Sequence, residues 1–159
     1  MTKGVIFDLD GTLYDKKGLP GRLVLSQIPS FSLGILSRER KARKTLMGRE
    51  FPDGDSFYEA LFSEMASSGK EIAKIRKWYN DNYMPSMVRI LGRYYNAYPW
   101  VGKTLSDLKG KGVKVALLSD YGMVEEKLSA LGLSPDLFDG GVFAAPETGG
   151  LKPSPVPFL

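Results

Sequence analysis

The sequence predicts an α/β fold, a doubly wound parallel sheet with an all-helical segment inserted after the first strand. Two observations predict the sheet: short apolar runs end abruptly in polar residues, and helical patterns precede and follow the second run. Continuous apolar runs of this kind suit strands that are buried on both faces of a parallel sheet. The insertion is predicted because residues 16–97 show helical periodicity and no strand pattern.

Three runs are predicted to be the strands of the sheet. They are "KGVIFDLD" at residues 3–10, "KVALLSD" at 114–120 and, more weakly, "GGVFAA" at 140–145. Two helices alternate with them, "VGKTLSDLKGKG" before the second strand and "MVEEKLSALGL" after it. In each helix apolar residues recur at helical spacing, and glycine at the end suits a C-cap: Leu105 and Leu108 in the first, then Val124, Leu128 and Leu131 ahead of Gly132 in the second.

The inserted segment is predicted to be entirely helical. Ser56 and Glu59 form a capping-box pattern ahead of an apolar stripe. A second stripe contains Ile72, Ile75 and Tyr79, and Pro85 is predicted to interrupt the helix that follows. Glycine, proline and polar residues gather at 15–21 and 96–99, which predicts one domain of residues 1–15 with 98–159 and a helical domain of residues 16–97.

The composition excludes several kinds of chemistry. Of the 159 residues 43% are hydrophobic and 25% charged, which is typical of a globular protein. The chain contains no cysteine and no histidine. Disulfides, thiolate nucleophiles, cysteine zinc sites and a histidine base are therefore excluded. Catalysis would have to use carboxylates, hydroxyls, lysine, arginine, backbone dipoles or a hard cation such as Mg²⁺.

Neither a signal peptide nor a membrane partner is expected, and we predict a cytoplasmic protein. Acidic residues occur within the first ten positions, and no apolar run approaches the roughly 18 residues that a membrane span needs. Basic residues crowd into "SRERKARK" at 37–44, either as a patch for nucleic acid or a phosphorylated ligand or as a solvated helix face. The solvated face is the favoured interpretation, and no nucleic-acid partner is predicted.

Two aspartates follow the first predicted strand. In parallel α/β sheets ligands bind at the carboxyl ends of strands, where Asp8, Asp10 and Ser119 all fall. Two carboxylates this close would repel by about 4 kcal/mol at a separation of about 4 Å in a medium of effective dielectric near 20. A bound cation or shared-proton chemistry is therefore expected. The alternative is a turn with an N-cap, because Asp-Gly favours turns.

Three motifs resemble those of the haloacid dehalogenase-like hydrolase superfamily. "DLDGTLY" at 8–14 is similar to its nucleophile motif D-x-D-G-T, "LLSD" at 117–120 to its second motif, and "GGLKPSP" at 149–155 to its third. They occur in the family's order, with a helical insertion at the position of a C1-type cap. The resemblance covers essentially the whole chain and implies a Rossmann-like core bearing a helical cap.

The resemblance also implies roles for individual residues. Asp8 would attack phosphorus to form an aspartyl-phosphate. Asp10 would act as acid and then as base, with a pKa raised by its anionic neighbours. Lys152 would neutralise charge on Asp8 and the phosphoryl group, and Mg²⁺ would bind the Asp8 side chain and the Asp10 carbonyl. The residues implied to contact phosphate are Gly11, Thr12, Ser119, Asp120 and Lys152.

These roles predict a Mg²⁺-dependent phosphatase acting on a small phosphorylated metabolite. In the family's dehalogenase branch the position of Asp10 carries no acid, since halide leaves without a proton. The presence of Asp10 therefore favours phosphoryl transfer. A phosphomutase with the same site, or a non-catalytic phosphate-binding module, remain alternatives.

One departure from the family pattern is expected to matter. The resemblance implies a fourth motif of acidic residues that completes the Mg²⁺ site, whereas the given sequence reaches Leu159 shortly after Lys152. Asp136 and Asp139 precede Lys152 and do not fit this motif; Asp120 is the weaker alternative ligand. We expect a fragment or a degenerate relative, with weak turnover, a poorly held metal and self-association through the edge of the first strand.

Overall fold

The computed structural model describes residues 3–27 and 34–158. The chain divides into two compact units, one of Met1–Lys17 with Val88–Ala144 and one of Gly18–Met87 with Ala145–Leu159. The sequence places the divisions at 15/16 and 97/98 instead. The assignment of residues 16–97 as a cap stays a prediction.

Three strands and seven α-helices are formed by the described residues, with short 3₁₀ and π-helical segments between them. In chain order they are β1 (Gly4–Phe7), α1 (Leu19–Gln27), α2 (Gly34–Leu46), α3 (Gly54–Met65), α4 (Ile72–Trp78), α5 (Met84–Tyr94), α6 (Trp100–Gly110), β2 (Lys114–Ser119), α7 (Val124–Ala130) and β3 (Gly141–Ala144). None of these helices is both long enough and apolar enough to cross a bilayer.

The sheet of the first unit is parallel, as the sequence predicts. Its strands lie in the order β1-β2-β3, with Phe7 of β1 opposite Leu117 of β2, and Ser119 of β2 opposite Ala144 of β3. The carboxyl ends of β1 and β2 therefore lie side by side. This register brings Asp8, directly after β1, close to the end of β2.

The prediction that the strands are buried on both faces is wrong for the two edge strands, β1 and β3, of the described sheet. Val115 and Leu117 are fully buried, but Ile6 is 52% and Phe143 is 47% exposed. Ile6 pairs with Ala116, and Phe143 pairs with Leu118, so the exposed side chains lie on one face. Leu118 of the central strand β2 is buried on this same face, so among the described residues the face is open at the edge strands β1 and β3.

The helices of the first unit bury most of the predicted residues, but Leu108 is only half-buried. Helix α6 buries Val101 and Leu105, and α7 buries Val124 and Leu128. The predicted end of α7 is confirmed: Gly132 has φ +76°, and the Leu133 N–H donates to the Leu128 carbonyl at 3.0 Å. Glycine suits this position because the left-handed region costs it nothing.

The second unit buries an aromatic core. Tyr79 contacts the rings of Tyr58, Phe62, Trp78 and Tyr83 at centroid distances of 5.4–6.5 Å. Such pairs add about 0.5–1.5 kcal/mol each beyond the apolar area they bury. These contacts pack α3 against the helical residues Trp78, Tyr79 and Tyr83.

The predicted capping box is wrong, because α3 begins earlier than the pattern suggests. Its N-cap is Asp53, whose carboxylate accepts the Ser56 N–H at 2.7 Å. Ser56 therefore lies inside the first turn, and Glu59 forms an ion pair with Arg76 instead of a backbone cap. Aspartate is as good an N-cap as serine, and here it lies three residues nearer the N-terminus.

Pro85 does not interrupt the chain of helices. A π-helical segment, Tyr79–Tyr83, leads from α4 into α5, and Pro85 occupies the first turn of α5. The Met84 N–H donates to the Tyr79 carbonyl, so the helical hydrogen bonds continue up to the residue before Pro85.

One basic residue of the predicted patch is buried in the second unit. Arg43 forms an ion pair with Glu39 and donates to the Tyr79 hydroxyl at 2.6 Å. The interpretation as a solvated face is therefore wrong for Arg43, although Arg40, Lys41 and Lys44 are exposed. Glu39 is fully buried, and its second oxygen, Oε2, has no hydrogen-bond partner among the described residues.

We expect Arg43→Met to destabilise the protein by about 3–5 kcal/mol, because it leaves the buried Glu39 carboxylate without its countercharge. The double variant Glu39→Leu with Arg43→Met should recover most of this loss, since it removes both charges. Urea unfolding of the two variants beside the parent checks the prediction. A double variant that is less stable than Arg43→Met alone would contradict it.

Candidate active site

The loop after β1 holds the two predicted catalytic aspartates in a tight turn. The Leu9 carbonyl accepts the backbone N–H groups of Thr12 at 3.2 Å and Leu13 at 3.1 Å. Gly11 has φ +95°, which strongly favours glycine. Leu9 is fully buried, and the flanking Asp8 and Asp10 are half-buried. The turn thus anchors itself in the core through Leu9 and leaves both carboxylates accessible.

Asp8 is oriented by its own loop. The Thr12 hydroxyl donates to Asp8 Oδ2 at 3.0 Å. This places Thr12, a predicted phosphate contact, beside the predicted nucleophile.

Asp10 is the centre of a denser network. Its Oδ1 accepts the Tyr14 hydroxyl at 2.7 Å, and its Oδ2 accepts the Ser119 hydroxyl at 3.1 Å and Lys127 Nζ at 3.0 Å. Three side chains from three parts of the first unit therefore hold one carboxylate. Such a network fixes the position of Asp10 in the ligand-free protein.

Lys127 is a site residue that the sequence analysis missed. Its side chain is fully buried, and Nζ contacts Ser119 Oγ at 3.2 Å as well as Asp10. A signal was present in the sequence: Lys127 is three residues from Val124 and four from Leu131, so it lies within the apolar stripe of α7. A lysine in an apolar stripe needs a buried partner, and here the partner is Asp10.

The expected rise in the pKa of Asp10 is wrong for the ligand-free protein. Burial acts to raise the pKa, but the Lys127 charge and the hydrogen bonds from Tyr14, Lys127 and Ser119 together hold it below its ordinary value. The neighbouring anionic residues are visible in the sequence, whereas the contact with the buried Lys127 arises only in the fold. Burial and the Asp10 charge raise the pKa of Tyr14, which therefore stays protonated and remains a donor.

The structure brings four of the predicted residues into direct contact in two pairs. Thr12 contacts Asp8, and Ser119 contacts Asp10. Ser119 is fully buried and also accepts the Tyr121 N–H at 3.1 Å, so its predicted contact with phosphate stays a prediction.

Asp120 follows β2 and is half-buried. Lys152 lies in the second unit, between the buried Leu151 and Ser154, and its action on Asp8 stays a prediction.

The sequence as a whole matches a known family. A family model described as haloacid dehalogenase-like hydrolase matches residues 2–159. The chain belongs to this family. The C1 type of its cap and the absence of a fourth motif stay predictions.

Individual members of the family resemble this chain over nearly all of its length. The glyceraldehyde 3-phosphate phosphatase of Methanocaldococcus jannaschii is 29% identical over 157 residues, which are 96% of this chain and 66% of that protein. The chain thus spans slightly less than two thirds of the curated relative that it matches.

Two solved structures share the fold. A predicted phosphoglycolate phosphatase from Haemophilus somnus 129PT has a TM-score of 0.58 at 23% identity, covering 99% of this chain and 68% of its own. The L-2-haloacid dehalogenase of Xanthobacter autotrophicus has a TM-score of 0.50 at 22% identity, covering 99% and 62%. They confirm the α/β fold with its parallel sheet.

The oxygens of the haloacid dehalogenase-like site fit a hard cation. The Asp10 carbonyl already accepts a cationic donor, Lys16 Nζ at 3.2 Å, at an exposed position beside the loop. Carboxylate and carbonyl oxygens are ligands that Mg²⁺ prefers. The described part of the chain contains no group of three or more acidic side chains that could hold a metal ion. The Asp8 carboxylate and the Asp10 carbonyl as Mg²⁺ ligands stay a prediction.

Proposed function

We propose that this protein is a Mg²⁺-dependent phosphatase that hydrolyses the phosphate monoester of a small metabolite through an aspartyl-phosphate on Asp8. The observation that carries the proposal is the Asp10 carboxylate, held by Tyr14, Ser119 and Lys127 two residues from Asp8. The arrangement supplies a nucleophile and a separately held acid–base group.

Two displacements at phosphorus complete the reaction. In the first, an Asp8 carboxylate oxygen bonds to phosphorus, the ester P–O bond breaks, and the leaving alkoxide takes a proton from Asp10. In the second, Asp10 takes a proton from water, the water oxygen bonds to phosphorus, and the bond to Asp8 breaks. The products are an alcohol and inorganic phosphate, and both aspartates return to their first state.

The low pKa of Asp10 in the ligand-free protein suits the second displacement directly. For the first displacement Asp10 must carry a proton. A bound phosphate dianion places negative charge near Asp10, and this charge raises the pKa of Asp10. Substrate binding therefore drives proton uptake by Asp10. Mg²⁺, when bound by Asp8 and the Asp10 carbonyl, would neutralise charge between nucleophile and phosphate.

Asp10 also supports a phosphate ester over a halide as the reacting group. An alkoxide is a poor leaving group and needs a proton, whereas a halide does not. The Methanocaldococcus relative, named for a small sugar phosphate, supports a small phosphorylated metabolite as the substrate class.

The variant Asp10→Asn should discriminate between leaving groups. For alkyl phosphates we expect kcat/KM to fall by about 10²–10⁴-fold, the usual contribution of a general acid. For an aryl phosphate such as p-nitrophenyl phosphate the fall should be much smaller, because that leaving group needs no proton. Steady-state kinetics on both substrates, with Mg²⁺ present, measure the two losses.

Asp15→Asn is the matched control, because Asp15 is an exposed carboxylate of the same loop and asparagine can still accept its bond from the Lys17 N–H. Equal losses on both substrates in Asp10→Asn would contradict the acid role. Release of chloride from a 2-chloro acid without phosphate hydrolysis would identify a dehalogenase. Saturable binding of phosphate esters without turnover would identify a binding module.

A further inference from the structure

Lys16 lies across the loop that carries both aspartates. Its Nζ donates to the Asp10 carbonyl at 3.2 Å. Its aliphatic carbons pack over Gly11, where an added Cβ would lie 2.9 Å from Lys16 Cε and 3.0 Å from Cδ. The absence of a side chain at Gly11 thus lets the lysine stem lie flat on the loop. This arrangement places the Lys16 ammonium beside the Asp10 carbonyl.

The ammonium of Lys16 uses the same oxygen as the proposed Mg²⁺. A Mg²⁺ ion bound to a carbonyl lies about 2.0–2.1 Å from the oxygen. An ammonium within hydrogen-bond distance of that oxygen would then lie close to a divalent cation, in a like-charge contact. One cation must leave when the other binds. Lysine can leave easily because its stem is flexible and its head is exposed to water.

We propose that Lys16 is a built-in competitor of Mg²⁺ for the Asp10 carbonyl. In the metal-free protein its ammonium supplies positive charge at this edge of the site, and Mg²⁺ displaces it. The affinity for Mg²⁺ is therefore lower than the oxygens of Asp8 and Asp10 alone would give. This inference rests on the metal site of the proposed function, and it concerns binding rather than turnover.

Calorimetric titration of Mg²⁺ into the 159-residue chain tests the competition. Lys16→Met keeps the length of the stem and removes the charge, and it should tighten Mg²⁺ binding by about threefold to tenfold, the fold-change that corresponds to the usual worth of one displaced hydrogen bond. Lys16→Arg should stay close to the parent. Lys17→Met is the matched control, because Lys17 is adjacent, equally charged and exposed, and none of the described hydrogen bonds uses its side-chain nitrogen.

Each outcome decides the inference. Tighter binding in Lys16→Met with unchanged binding in Lys17→Met supports it. Equal tightening in both variants overturns it, because the effect would then be general charge repulsion. Unchanged, weaker or undetectable Mg²⁺ binding in Lys16→Met overturns it as well. Mg²⁺ binding that follows the expected pattern, without hydrolysis of any phosphate ester, would instead remove the proposed function and leave the competition established.

Discussion

Asp8→Asn is expected to abolish phosphate-ester hydrolysis, lowering kcat by about a thousandfold or more. The amide oxygen is a poor nucleophile, so the covalent step through Asp8 is lost. The substitution is nearly isosteric, and asparagine can still accept the Thr12 hydroxyl that orients this position. Single-turnover kinetics at saturating substrate and Mg²⁺ measure the loss.

Asp15→Asn again provides the comparison, since it makes the same chemical change in the same loop away from the network of Asp10. It should keep the parent's turnover, and circular dichroism should show both variants folded. Substantial turnover by Asp8→Asn would assign the nucleophile to another residue and overturn the proposed mechanism.

Lys127→Met is expected to lower kcat by about a hundredfold, within the range that one acid–base interaction contributes. Lys127 does not reach the reacting atoms itself; it is a positioning residue that holds Asp10. Removing its charge takes away a cause of the low pKa of Asp10, so that pKa rises. Asp10 must be deprotonated to act as the base in the second displacement, so the acid limb of the pH profile of kcat should move to higher pH.

The pH profile separates this role from a merely structural one. A loss of stability alone would lower activity without moving the acid limb. Lys111→Met removes an exposed lysine of the same unit and should change neither quantity. An unmoved acid limb in folded Lys127→Met would contradict the role assigned to Lys127.

The same pKa shift predicts how this network stabilises the fold. The pKa of Asp10 is lower in the folded protein than in the unfolded chain. The contribution to stability is therefore fully present above the ordinary pKa of aspartate, and it is lost as the pH falls through the folded-state value. In Lys127→Met the free energy of unfolding should depend less on pH in this range.

Local patterns predicted the elements that depend on neighbouring residues. The three strands, the order of helices around β2, the left-handed Gly132 and the tight turn at Gly11 all follow from short-range chemistry, namely apolar runs bounded by glycine and polar residues. The start of α3 was missed by three residues because two good capping residues, Asp53 and Ser56, compete there. The sequence pattern does not show which of the two residues is the N-cap. In the folded protein it is Asp53, which has an extended backbone and accepts the Ser56 N–H.

What the sequence by itself determined is the family, the parallel α/β sheet and the placement of Asp8, Asp10 and Ser119 at the carboxyl ends of neighbouring strands. These follow from motifs and periodicity, which are properties of adjacent residues. Only the tertiary structure decided the partners of Asp10. Lys127 is 117 residues away along the chain, and the fold brings its Nζ to 3.0 Å from the carboxylate. The direction of the pKa shift depends on that contact, because desolvation is outweighed only by the charge of Lys127 together with the hydrogen bonds from Tyr14, Lys127 and Ser119.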